Sequence, residues 1–160
     1  MAECASQGCT EQTSGKSKYC VTHKAIARAK WLENVKASGE ERAANKERFA
    51  KLHAEAHAAG IAASEAHAPE PMGVTDGTQT WVIAGGVCGF AWVNIPGNTK
   101  FAAWAKKNAN ARKDYPKGLS IWCPLGTQSM TTKEAYCNAY AKVLNAGDPT
   151  IKAWSRSRID

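Results

Sequence analysis

The chain has 160 residues, is 44% hydrophobic and 22% charged, and carries a formal net charge of +7. That length fits one ordinary domain, or a small module plus a compact domain, and no apolar run approaches the ~18 residues of a membrane span. Met1–Gly15 is small and polar, without the apolar core of a secretory signal, so a cytoplasmic protein with no membrane partner is expected. Thiols stay reduced there, and the six cysteines then point to metal ligation or buried thiols before disulfides.

Residues 1–24 read as a zinc-binding module. Cys4 and Cys9 form one pair with Gly8 easing the turn between them, and Cys20-Val21-Thr22-His23 supplies the second pair. Three thiolates and an imidazole, with no carboxylate expected among them, suit one structural Zn2+ in a closed tetrahedral site. The connecting loop is polar, with Ser14, Gly15, Lys16 and Lys18. So little of this stretch is apolar that a metal would have to supply its stability, which weakens the alternative of ordinary reduced cysteines. The spacing differs from that of the two-Cys, two-His finger, so no base-reading helix is expected.

Residues 25–68 are dense in Ala, Glu, Lys and Arg and read as helix, with a break expected at Ser38 or Gly39. Phe49, Leu52, Ala56, Ala59 and Ala63 fall on one stripe by their 3-4-3-4 spacing. A stripe so rich in alanine buries little and needs a packing partner. Pro69, Pro71, Gly73 and Gly77 mark residues 69–80 as a linker.

Residues 81–160 read as a basic α+β domain of order β-β-α-β-α-β. Strands are expected at Trp81–Ile83 and Phe90–Ile95, joined by the Gly85–Gly89 turn. Pro96–Thr99 then caps a helix carrying Phe101, Trp104 and Ala105 on one side. After a basic loop, Leu119–Cys123 is the third strand. Thr131 and Glu134 have capping-box spacing ahead of a helix whose buried stripe is Tyr136, Ala139, Tyr140, Val143 and Leu144, ended by Gly147 and Pro149. Ile151–Arg156 is the last strand. The whole chain is thus expected to be α+β: zinc module, Ala-rich helical segment and C-terminal domain.

The segment Lys18-Tyr19-Cys20-Val21-Thr22-His23-Lys24 resembles the Cys-x-x-His tails of zinc modules in bacteriophage-encoded proteins. Gln128-Ser129, Lys133-Glu134-Ala135-Tyr136 and Ser155–Asp160 resemble parts of uncharacterised phage proteins. The resemblance implies a phage origin, hence the host cytoplasm or a virion, and no particular activity.

Charge is concentrated in the second half. Residues 1–70 hold ten cations against nine acids, whereas residues 71–160 hold eleven against five. Lys100, Lys106, Lys107, Arg112, Lys113 and Lys117 cluster, and Arg158 lies near the C-terminus. A polyanion, DNA or RNA, is the natural partner, with solubility as the bland alternative. Strand alternation adds a pattern: Trp92, Trp122 and Trp154 fall opposite the aliphatic positions, and Lys152 and Arg156 fall beside Trp154. Rings and cations on one sheet face are the makings of a nucleic-acid platform, although tryptophans more often face a core.

Catalytic signals are thin. His53 and His57 have the spacing of a helical zinc protease, but the residue after His53 is alanine, so solvated histidines are expected. Residues 81–160 contain no histidine, their acids are scattered, and Cys88, Cys123 and Cys137 lack a local base. Gly85-Gly86-x-x-Gly89 joins two strands and opens no helix, so it is no phosphate loop. The sequence therefore reads as a non-enzymatic, zinc-containing, nucleic-acid-binding accessory protein. The alternative is a protein-binding virion component or an inhibitor of a host enzyme, its helices docking on the partner.

Overall fold

The computed structural model of the chain describes residues 2–13 and 16–160. Its elements are α1 (Val21–Ala66), β1 (Met72–Thr75), β2 (Thr80–Ile83), β3 (Gly89–Ile95), α2 (Lys100–Asn108), β4 (Arg112–Lys113), β5 (Leu119–Trp122), α3 (Met130–Gly147) and β6 (Trp154–Ile159). The protein is α+β, as its sequence pattern predicts. It divides into two compact units, Met1–Asn45 and Lys46–Asp160. Among the described residues no helix is long and apolar enough to cross a membrane.

The expected break at Ser38 or Gly39 is absent: α1 runs unbroken for 46 residues. One glycine among strong helix formers costs only about 1 kcal/mol relative to alanine, too little to end a helix without proline. The buried stripe is Phe49, Leu52, Ala56, Gly60 and Ser64, so the predicted stripe slips by one position after Ala56. The cause is close packing. A methyl group on Gly60 would come within 2.6 Å of the Tyr136 ring, so only glycine lets α1 and α3 approach this closely.

The segment read as linker carries β1, and β2 pairs with it antiparallel in a two-stranded sheet. The predicted partnership of Trp81–Ile83 with the Phe90 strand is therefore corrected. The reason is the Asp76-Gly77 turn: Asp76 Oδ1 accepts from the Thr78 N–H (2.9 Å), the Thr78 hydroxyl (2.8 Å) and the Gln79 N–H (2.8 Å), closing the hairpin locally.

The remaining strands form one antiparallel sheet of order β4-β5-β3-β6. With α2 and α3 this is a β-α-β-β-α-β split arrangement, and the short β4 was not foreseen. Ala91, Val93 and Ile95 of β3 and Leu119 and Ile121 of β5 share one sheet face. They are buried with Phe101, Ala102 and Ala105 of α2 and Cys137, Ala141 and Leu144 of α3. The second half of α1 covers the outer side of those helices, where Phe49 meets Phe101 edge-to-face at 5.4 Å.

Two boundaries move. Ser129, not Thr131, caps α3 by accepting from the Thr132 N–H, and Glu134 accepts a hydrogen bond from Ser157 instead of completing a capping box. The last strand begins at Trp154, not Ile151, because Lys152 adopts a left-handed φ of 52° and breaks the extended run. Asn145 pins that corner, donating to Ala153 O and accepting from Ala153 N, both at 2.7 Å.

Candidate functional site

The first site grows from a tight N-terminal loop. Glu3 and Gln12 form an antiparallel bridge, Cys4 N–H donates to Glu11 O (3.1 Å), and Ala5 N–H donates to Lys18 O (2.9 Å). Gly8, at φ 79°, makes the turn that brings Cys9 back toward Cys4. Cys20 stands at the mouth of α1 and His23 in its first turn. Ser14 and Gly15 of the intervening loop lie outside the described residues.

These contacts bring the donor atoms of Cys4, Cys9, Cys20 and His23 within 4.8 Å of one another, close enough to hold a metal ion. Cys9 Sγ and Cys20 Sγ are 3.9 Å apart, and His23 Nδ1 lies 3.6 Å from Cys4 Sγ and 3.2 Å from Cys20 Sγ. Bond lengths of about 2.3 Å to sulfur and 2.1 Å to nitrogen require tetrahedral edges of about 3.8 Å for S···S and 3.6 Å for S···N. The Cys9–Cys20 and Cys4–His23 edges match that frame and the Cys20–His23 edge is about 0.4 Å short of it, while 3.9 Å is far beyond a disulfide's roughly 2.05 Å.

Cys4 and Cys20 are buried, whereas Cys9 and His23 are half-buried beside an open cleft of about 300 Å3 that gives an ion a way in. Backbone amides support the sulfurs: Cys20 N–H points at Cys4 Sγ (3.3 Å) and His23 N–H at Cys20 Sγ (3.5 Å). The first of these is the main reason the Cys4 thiol is drawn down to about 7. Cys20 is pushed up to about 12, chiefly because its thiol donates to the Glu11 side chain. The Glu11 carboxylate thus lies beside the cluster without being one of its four donors, brought there by the pairing of the Glu11 carbonyl with Cys4.

The second site is the outer face of the four-stranded sheet. Register places Arg156, Trp92 and Trp122 in one cross-strand row, and Trp154, Asn94, Ser120 and Arg112 in the next. Arg158 faces Phe90 in a third row. Trp92 is 8% exposed because Trp122 stacks on it (5.2 Å, 20°) and the Arg156 guanidinium covers its ring at 5.7 Å. Trp122 and Trp154 remain 44% and 45% exposed. Asp114 anchors this face: its Oδ2 accepts from Trp92 Nε1 (3.3 Å) and from Asn94 Nδ2, and lies 3.7 Å from Arg156 Nη1.

The other predicted cations are dispersed. Lys100, Lys106 and Lys107 belong to α2, which packs on the opposite face of the sheet. Lys113 lies in β4 opposite the core-facing Leu119, and Lys117 sits in the β4–β5 turn. Lys152 precedes β6, outside the ladder. The fold therefore joins Arg112, Arg156 and Arg158 to the tryptophans and leaves the lysines elsewhere.

The histidines read as solvated are tied to α3. His53 Nδ1 hydrogen-bonds Tyr140 Oη, and His57 Nδ1 lies 2.7 Å from Tyr136 Oη. The matching four-residue spacing on both helices is the signal in the sequence. Burial, aided by the nearby His57, holds the His53 imidazole below its ordinary pKa. Cys123 and Cys137 interact, which lowers the first thiol and, with burial, raises the second. No family model matches the chain, and no curated protein or solved structure matches it.

Proposed function

We propose that the protein is a zinc-containing, nucleic-acid-binding accessory protein. Cys4, Cys9, Cys20 and His23 hold one structural Zn2+ at the head of α1, and the outer sheet face contacts the polymer. The observation that carries the second part is the grouping of exposed Trp122 and Trp154 with Arg112, Arg156 and Arg158 on one face. Rings that can stack on bases, set among cations that can neutralise phosphates, are what such a surface needs.

Zinc is favoured over harder ions by three sulfurs and one imidazole, and a closed set of four donors suits a structural ion. Binding without catalysis is supported by how the carboxylates are used. Asp114 serves Trp92, Asn94 and Arg156, Asp148 serves Thr150 and Arg48, and Glu134 serves Ser157.

Fluorescence anisotropy with labelled DNA and RNA tests the polymer, and metal analysis of the purified protein tests the ion. Affinity should fall steeply as salt rises, with a slope set by the phosphates neutralised. Undetectable binding at low salt rejects the nucleic-acid part, and a zinc content well below one per chain rejects the zinc part.

A second reading, docking of a protein on α1, rests on a separate observation. Val21, Ile26, Trp31, Leu32 and Val35 are 49–76% exposed along the first half of that helix. A soluble helix rarely leaves so many large apolar side chains without a partner. Light scattering across a concentration series tests whether that partner is a second copy.

A further inference from the structure

The outer face of the sheet has a geometry that selects among nucleic acids, and the inference drawn from it rests on the nucleic-acid reading above. Trp122 is braced from within the face. Its ring stacks on Trp92 at 5.2 Å and meets Phe90 edge-to-face at 5.9 Å. These two contacts hold the ring in place while Trp122 stays 44% exposed, so a planar ligand meets a ring that loses little freedom on binding. Trp154 lies on the same sheet face, opposite Asn94, on the edge strand β6.

The two exposed rings are not neighbours. β5 and β6 are separated by β3, which sets them about 10 Å apart across the sheet. Trp122 and Trp154 also fall in rows two residues apart along β3, a further displacement of about 7 Å. Their backbone positions are thus about 12 Å apart, far beyond the roughly 3.4 Å between successive bases of a helical strand. Bases that reach both rings must be splayed, not stacked on each other.

A duplex cannot supply such bases. Its base faces are covered by their neighbours, and its major groove admits a helix or a two-stranded ribbon, not the flat face of a four-stranded sheet. The cations fit a strand passing over the rings. Arg156 and Arg158 follow Trp154 along the exposed edge strand on the same face, and Arg112 lies at the far end of the Trp154 row.

We propose that the ligand is a single-stranded polynucleotide that crosses the sheet from β5 to β6. One base stacks on Trp122 and another on Trp154, while Arg112, Arg156 and Arg158 meet its phosphates. Trp92 is a positioning residue that braces Trp122 and touches no base. Ring faces read no base identity, so the site tolerates sequence.

Anisotropy titrations of the full zinc-loaded chain at low salt, with labelled oligothymidine, oligouridine and a hairpin duplex of equal length, test this. Tighter binding of either single strand than of the duplex is expected, with quenched tryptophan fluorescence. Trp122→Leu and Trp154→Leu should each weaken single-strand binding by about 5- to 150-fold, the span of one lost base stack. Trp154 has the safer role in folding, being half-exposed and outside the Trp92–Trp122 stack, so its variant keeps the test decisive if Trp122→Leu unfolds. Trp81→Leu, an exposed tryptophan on β2 in the separate hairpin, should bind as the parent does. Equal affinity for duplex and single strand, or parental binding by Trp154→Leu, overturns the single-strand inference while leaving the nucleic-acid reading standing. No salt-sensitive binding to any of the three probes overturns both.

Discussion

Replacing Gly60 with alanine would test the contact that seats α1 on α3. The new Cβ would lie 2.6 Å from both Cδ2 and Cε2 of Tyr136 and 3.1 Å from Cγ. Carbon atoms pack best at about 3.5–4.0 Å, so the ring would have to retreat by about 1 Å. It has nowhere to go. Tyr136 is 3% exposed, lies beside Tyr140 and is hydrogen-bonded to His57.

Overpacking of this kind costs about 1–3 kcal/mol, and loss of the His57 bond adds about 1 kcal/mol. The higher helix propensity of alanine returns about 1 kcal/mol. The net expectation is destabilisation by about 1–3 kcal/mol, read from urea denaturation followed by circular dichroism. Gly39→Ala is the control, because a methyl group there meets nothing within 4 Å and should add helix stability without a clash. If Gly60→Ala proves as stable as the parent or more so, the close approach of α1 to α3 is wrong.

Three further outcomes follow from the geometry. Cys20→Ser should bring metal content well below one ion per chain and disturb the N-terminal loop without altering the denaturation of unit Lys46–Asp160, which metal analysis and hydrogen exchange would show. Acid should destabilise the α1–α3 contact. His53 has a folded pKa below its unfolded value of about 6.5, so its stabilising neutral form is complete above that pH and stability falls as pH drops through it. His53→Gln should flatten the urea midpoint between about pH 7 and pH 5, and an unchanged slope would show that another group governs it. Asp148→Ala should cost about 1–3 kcal/mol, since the carboxylate accepts from the Thr150 hydroxyl (2.6 Å) and N–H (3.0 Å) and pairs with Arg48 at 2.8 Å. Those bonds, the Thr150 hydroxyl first, hold Asp148 below the usual carboxylate range, so its contribution is present above about pH 4 and lost as pH falls further.

Local chemistry made much of this legible beforehand. Thr99 caps α2 as its sequence suggests, accepting from the Ala102 N–H, because capping is a matter of adjacent residues. Period-two alternation correctly separated the aliphatic positions of β3 and β5 from Trp92 and Trp122, since the pleat alone sets which side chains share a face. Where the reading failed, the deciding contacts were distant or mutual. Gly60 fell outside the predicted stripe and is instead the contact surface for Tyr136, a residue 76 positions away. His53 and His57 looked solvated because nothing near them in the chain announces Tyr140 and Tyr136. β2 took β1 as its partner because the Asp76 turn closes a hairpin before the chain reaches β3.

The sequence by itself picked out the group able to hold a metal ion, because Cys4, Cys9, Cys20 and His23 sit within one short, core-less stretch where spacing nearly dictates proximity. It also placed three tryptophans on one side of a sheet, because alternation is a property of the strand. Only the tertiary structure decided which of those rings meet solvent. Strand order stacks Trp122 over Trp92 and leaves Trp154 on the edge, and the same packing puts the α2 lysines behind the sheet and the arginines in front. Cross-strand neighbours and layer sides depend on which strands pair, and pairing is settled by the burial of the whole core.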